Sequence, residues 1–429
     1  MTNHLQLFLL SILLLTFSCK EKSSGQKKSG TEKQVEQKVL IEQPKDSVEK
    51  KKRKNTPKHY EQKYVVARSG LNYRDLPNGN VLGKFPLNTH LKIIEYTNIT
   101  DQIKDGEWVI KGEWVGVEKD LDTVYVFNGF LSYSSVKSDI KLYSSSPFYK
   151  EKDGKTRIAF LNLSETYFYD ENGKRNQESI LTENDLENDT IRLNPNQRKK
   201  LINGLKISES DKVFVYLIKY DSILSFNIKD LPAIACVNIY GSDNYSNLED
   251  AYEFGFDLDG KIIDSDNFVY IGQKNPFQTG MLESIVWKRI DDRDFPKKFS
   301  TDIIDVSRRR WFNGIEAGQS YIFSANNLDY FIQNLIKDEK MKHRYVVVVD
   351  SKTKNIIYEN VQIDSEGTYL IPLITEDSKE QYYSQWTGKL FINKPVIMFG
   401  FLGHNFGCPS IAVLDETEPP IPILCDNRH

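Results

Sequence analysis

Among 429 residues there are only four cysteines, six histidines and four methionines. So few soft ligands, with no C-x-x-C or H-x-x-x-H spacing, leave little material for a structural metal centre or a redox couple. No HExxH, GxSxG, Walker A or GxGxxG pattern occurs, so the common local signatures of metalloproteases, α/β-hydrolases, P-loop enzymes and dinucleotide binding are missing. No apolar run reaches the roughly 20 residues needed to cross a bilayer. The first 19 residues hold no Lys, Arg, Asp or Glu. The net charge is only −3, which speaks against a nucleic-acid partner.

What the chain has instead is aromatic residues, with 23 Tyr and 23 Phe. Together with abundant Val and Ile they favour half-buried pleated surfaces. The expected fold class is mainly β with some α, a β-rich α+β chain. Its length allows two to three domains. The charge is unevenly placed: residues 20–60 carry 13 Lys/Arg against 6 Asp/Glu, a net +7, so the chain from 61 onward carries −10. A basic leash precedes an acidic body.

Leu5 to Phe17 is an apolar run of signal-peptide length, and it stops at Cys19. Leu15, Ser18 and Cys19 resemble the lipobox of bacterial lipoprotein signals. The resemblance implies that the Cys19 thiol takes a diacylglycerol and becomes the new N-terminus. Lys20, rather than Asp, follows the cysteine, which by the same resemblance implies the outer membrane, on its periplasmic or outer face. Residues 20–60 are polar and low in complexity, a composition too poor in apolar surface to fold, and are read as a tether. Within it KKKRK, Lys50–Lys54, is either a solvated spacer or a contact for anionic lipid or wall polymer.

From Tyr64 the texture alternates, with Ser-Gly and Pro-Asn-Gly as turn signals. Strands are expected near 63–68, 80–85, 89–96, 107–118 and 122–127. In order come Leu71-Asn72-Tyr73-Arg74, Pro77, Val81-Leu82-Gly83, Trp114-Val115 and Tyr125-Val126-Phe127-Asn128-Gly129-Phe130-Leu131. This series resembles bacterial SH3 domains over about 61–134. The resemblance implies a small barrel and a role in recognising wall material or proteins. An aromatic groove can hold an extended peptide, and Tyr73, Trp108, Trp114 and Tyr125 are its candidate ligand-binding residues. Trp114 and Tyr125 have core positions as their alternative.

Two further stretches, about 137–270 and 271–429, are read as related β-rich α+β modules. Each contains what reads as strand, short helix, strand, turn, strand: DTIRLNPNQRKKLINGLKISESDKVFVYLIKYDSILSFNI in the first, QSYIFSANNLDYFIQNLIKDEKMKHRYVVVVDSKTKNIIYENV in the second. Asn194, Pro195 and Gln197 form a capping signature for the first helix, with Gly204 as its expected end. Phe254-Gly255-Phe256 and Phe399-Gly400-Phe401 suggest a repeat.

Cys236, in LPAIACVNIY, reads as a core thiol. Cys408 and Cys425 flank a segment that folds about Glu416-Thr417, which sets them opposite each other and invites a disulfide. Two free thiols, or a zinc site with His404, Asp426 and His429, are the alternatives. Pro419, Pro420 and Pro422 place the second arm of that hairpin on a sheet edge. Asp259-Gly260 is read as a hairpin turn rather than a calcium loop. Arg308-Arg309-Arg310-Trp311 is read as a solvated strand end. No catalytic residue, metal or cofactor is assigned. The function read from the sequence is a lipid-anchored envelope protein that binds peptidoglycan or an envelope protein partner. The alternative is an envelope hydrolase with its catalytic residues in 137–429.

Overall fold

The computed structural model describes residues 60–105, 108–120, 122–149, 157–164, 179–185, 188–238, 248–258, 266–304, 306–378 and 385–427. Cys19, the 20–60 tether but for Tyr60, the Asp259-Gly260 turn and His429 lie outside them. The described chain is mainly β, as expected, with one α-helix wholly inside the described residues.

Its N-terminal part is a seven-stranded antiparallel sheet. The strands are β1 (Glu61–Val65), β2 (Leu71–Arg74), β3 (Val81–Phe85), β4 (His90–Asp105), β5 (Trp108–Lys119), β6 (Asp122–Phe127) and β7 (Leu131–Ser132). They lie in the order β3-β2-β6-β5-β4-β1-β7. Alternation builds the core: Val115 and Val117 of β5 face inward with Val124 and Val126 of β6. Phe85 from one edge strand joins the same cluster as Val65 and Leu91 from the other side of the sheet. The sheet must therefore roll around a single core. Asp75 shapes its first tight turn, accepting from Leu76 N at 2.9 Å and Asn80 N at 2.7 Å.

The remainder does not divide at residue 270. Its largest sheet has nine strands: three come from before that point (Leu142–Tyr143, Lys212–Leu217, Ser222–Asn227) and one, Asn267–Gly272, runs across it. The other five come from after it (Leu282–Ser284, Trp386–Gly388, Ile397–Phe399, Ser410–Val413, Ile421–Leu424). The two halves meet where Ile423 and Leu424 pair in parallel with Leu142 and Tyr143. Beneath one face of this sheet, a five-stranded antiparallel sheet and the helix close a second layer. Leu201, Ile202 and Leu205 pack with Phe254, Phe256, Val213 and Val215.

The helix, α1 (Pro195–Leu205), starts as its sequence dictates. Asn194 Oδ1 accepts from Asn196 N and Gln197 N, and Gln197 Oε1 accepts from Asn194 N at 3.0 Å. It ends one residue later than expected. Gly204 is helical, and Lys206 takes the left-handed cap at φ 56° while its N–H reaches Ile202 and Asn203 carbonyls.

The second stretch expected to be helical is a strand. Leu328–Lys337 lies in a meander with Glu316–Ala325, Lys340–Asp350 and Ile356–Ile363. Both its ends are two-residue turns with positive φ throughout: Asn326 and Asn327 at 55° and 60°, Asp338 and Glu339 at 51° and 62°. Such turns match the twist of antiparallel strands and tie them into hairpins. The two stretches therefore do not share one plan. Their Phe-Gly-Phe segments differ as well. Gly255 sits mid-strand, where a Cβ would meet the Leu161 carbonyl at 1.8 Å, whereas Gly400 turns the chain at φ 88°.

Two other expectations are corrected. The strand Ile421–Leu424 is central, not an edge. Ile423 N–H donates to Pro409 O at 3.0 Å, so alternation turns the Pro422 nitrogen away from that neighbour. It falls one residue before the parallel ladder with Leu142 begins, where no donor is needed. Arg308–Trp311 belongs to a 3-10 segment, Val306–Phe312, and not to a strand end. Arg309 there forms an ion pair with Asp120, fastening the rolled sheet to the body. Asn88 adds a second fastening, its side chain donating to Val136 O at 2.9 Å and accepting from Val136 N at 2.7 Å.

The capping box is local, its hydrogen bonds confined to Asn194, Asn196 and Gln197. Asn194→Ala is expected to lower stability by about 1 kcal/mol, with Asn194→Gly milder, as read from urea unfolding midpoints at unchanged slope.

Candidate functional site

The four aromatic candidates do not form one groove. Strand alternation separates them: Tyr73 faces the rolled sheet's core, against Phe85 at 4.7 Å between ring centroids. Trp114 and Tyr125 share the opposite face with Arg74, which pairs directly with Tyr125. Trp114 is 3% exposed and packs on Phe127, under the Arg74 guanidinium 5.5 Å from its ring. Its Nε1 has no acceptor. Tyr125 is half-buried and donates to Glu95 Oε2 at 3.1 Å. Trp108, 79% exposed, stands far along the β4–β5 ribbon, where Asp105 pairs with it.

A more concave site lies where the rolled sheet meets the body. It is a cleft of about 580 Å³. Pro86 and Leu87, between β3 and β4, form one wall. The outer strand of the meander supplies Tyr358, Asn360 and Gln362, which alternation places on one face. Met398, Phe401 and His404 come from the segment that crosses over it, and Ser410, Pro420 and Ile423 from the terminal hairpin. This is the size and position of a small-ligand or peptide-side-chain site: largely apolar, between two packed units, with a few polar groups.

The hairpin wall is held by three devices. Asp415 accepts from Thr417 N at 2.8 Å and from its hydroxyl at 2.7 Å, setting the turn. Glu418 receives Lys394 at 3.1 Å and Arg68 of the rolled sheet at 3.4 Å. Lys394 also meets Asp139 at 2.8 Å. Burial works against the Lys394 charge, but these two carboxylates outweigh it and raise its pKa. The third device is a disulfide between Cys408 and Cys425, with Cα atoms 5.4 Å apart. The hairpin register centres on Glu416, through Ser410–Pro422 and Ile411–Ile421, rather than between Glu416 and Thr417. The bond therefore joins positions offset by one residue just past the ladder. It also removes both thiolates from any zinc set with His404.

The meander's outer strand is partly sealed. Val361 N–H donates to the Asn360 side chain at 2.7 Å, and Asn360 Nδ2 donates to the Tyr358 hydroxyl at 2.9 Å. Gln362, 5% exposed, has a side-chain oxygen with no partner. Burial lowers the His404 pKa. No hydrogen bond joins His404 to Ser410 or to any described carboxylate. Among the described residues no group of three or more His, Cys, Asp or Glu side chains is placed to hold a metal. Cys236 is a fully buried thiol in the strand Ala233–Val237.

No protein-family model, curated protein or solved structure matches the chain. Sequence reasoning missed the cleft because its walls come from four separated segments. The polar face of the meander's outer strand reads like a solvated one.

Two outcomes follow. Replacing both Cys408 and Cys425 with serine is expected to destabilise the protein by roughly 3 kcal/mol, measured by urea unfolding of the oxidised parent against the variant. For pH, burial holds His343 and His404 below the ordinary histidine value. The unfolded chain then binds more protons below about pH 6.5, so stability falls as pH drops from about 7 to 5. In His343→Phe, which keeps a ring on Phe312, the urea midpoint should fall less over that range.

Proposed function

We propose that this chain is a lipid-anchored protein of the bacterial cell envelope that acts by binding. In this reading Cys19 carries the lipid, 20–60 is the tether, and 61–134 is an SH3-like barrel. The ligand, a segment of wall peptide, sits in the cleft between that barrel and the body. The observation that carries the reading is the cleft itself, apolar-walled and bordered by Pro86 and Leu87 of the barrel region, with the buried side chain of Gln362 on its surface.

A hydrolase finds less support. Hydrolysis by a side-chain nucleophile calls for a base within hydrogen-bond reach. Ser410 and His404 both border the cleft, but no hydrogen bond links them. The membrane is a partner through the lipid alone, and no nucleic acid is involved.

The test has two arms. Cys19→Ala should lose lipid labelling and move from the membrane fraction to the soluble one. Ser410→Trp, at an exposed position on the cleft wall, should cut retention on purified wall fragments at least tenfold without a shift in melting temperature. Equal retention of parent and variant overturns the cleft assignment. Parent protein that ignores wall fragments but is retained by envelope proteins redirects the reading to a protein ligand.

A further inference from the structure

The meander holds an unusual buried cation beside the cleft. Arg344 is 2% exposed. Its Nη1 donates to Ile371 O at 2.6 Å, and its Nε has no acceptor. Among the described residues no carboxylate stands within ion-pair distance of it. Burial pushes its pKa down to about 10, which leaves it charged at neutral pH. A buried charge without a counter-charge is strongly destabilising, so its retention asks for an explanation.

The register gives the geometry. Arg344 pairs directly with Asn334 on one side and Gln362 on the other, so the three side chains form one row on one face. Asn334 Oδ1 and Gln362 Oε1 are also buried without partners. A side-chain amide can present either its oxygen or its NH₂ to a neighbour, so Gln362 can donate as readily as accept. Gln362 is the member of the row that borders the cleft. The row thus runs from the cleft surface to a buried guanidinium with an unspent donor.

The acidic side chains around the cleft are mostly spent. Glu359 is paired with Lys297 at 2.7 Å, Glu418 with Lys394 and Arg68, and Asp415 with its own turn. Glu416, at the turn, has neither an ion pair nor a turn hydrogen bond among the described residues. The inward field of the site is set by Arg344, one strand away from the cleft and in a low-dielectric setting.

We propose that the cleft takes a ligand with an apolar body and a single carboxylate, whose head lies against Gln362 and is held by the charge of Arg344. This rests on the reading of the cleft as the ligand site. Two sources offer that chemistry: the C-terminus of a peptide ending in an apolar residue, and a free fatty acid. The recognition is the same in both. Apolar carbons meet Met398, Phe401 and Ile423, and the carboxylate accepts from the row.

Isothermal titration calorimetry on the full chain tests this with four probes: N-acetyl-leucyl-leucine, its C-terminal amide, dodecanoate and dodecanol. At least one acid should bind ten or more times more tightly than its neutral counterpart. A preference confined to the dipeptide identifies a peptide C-terminus, and one confined to dodecanoate a fatty acid. Gln362→Glu places a carboxylate beside Arg344 within the chain. It should raise the melting temperature and abolish the preference for acids, and Arg344→Met should abolish the preference while retaining the neutral probes. Should Arg344→Met not fold, Gln362→Glu decides alone. Acids and neutral probes binding equally well overturn this inference and leave the cleft reading standing. A parent chain that binds none of the four overturns both. A Gln362→Glu variant that keeps the full preference for acids removes Arg344 from the site.

Discussion

The body depends on one short parallel contact, Ile423 and Leu424 against Leu142 and Tyr143. It joins four strands from one half of the chain to five from the other, and without it the largest sheet has no continuity. Parallel pairing is slightly weaker per residue than antiparallel pairing, and this ladder is only two residues long. Its strength comes from what surrounds it. Leu142, Ile421 and Ile423 are buried in the cluster that also holds Phe277, Phe391 and Ile411. At about 25 cal/mol for each Å² of apolar surface buried, such side chains outweigh the few hydrogen bonds of the joint.

The same terminal segment serves the cleft. Its strands continue the sheet, its turn receives Arg68 and Lys394, and its residues form a wall. A disulfide just beyond the ladder limits fraying at the open end of the hairpin. Structure and site are thus coupled through one hairpin. The ion pairs that hold the rolled sheet against the body also fix Pro86 and Leu87 relative to that wall.

How much of this was legible differs by region. Five of the seven strands of the rolled sheet could be read because polar and apolar residues alternate and the turns carry Gly, Pro and Asn, whereas β2, β7 and the far half of β4 were not expected. The α1 start could be read from Asn194, Pro195 and Gln197. Leu328–Lys337 was misread because Leu328, Phe331, Ile332 and Leu335 also satisfy a helical spacing. The deciding signal was the pair of two-residue turns at Asn326-Asn327 and Asp338-Glu339. Pro422 was misread because its tolerance depends on which neighbour its nitrogen faces, and that is set by a partner about 280 residues away. The candidate binding aromatics were chosen by type, whereas the alternation of β2, β5 and β6 decides which of them can meet. Arg344 and Gln362 were invisible as a site. A polar residue on an alternating strand reads as solvent-facing until the segment that covers it is known.

The meander's outer strand carries one further consequence. An open sheet edge offers unpaired donors to any passing chain. Here Asn360 folds its amide back onto the Val361 N–H, and the Tyr358 hydroxyl occupies the amide's other end. The edge is therefore interrupted midway by its own side chains. A second copy laid alongside could not run a continuous ladder past this point, so crowding does not convert the outer strand into a template for zipping copies together.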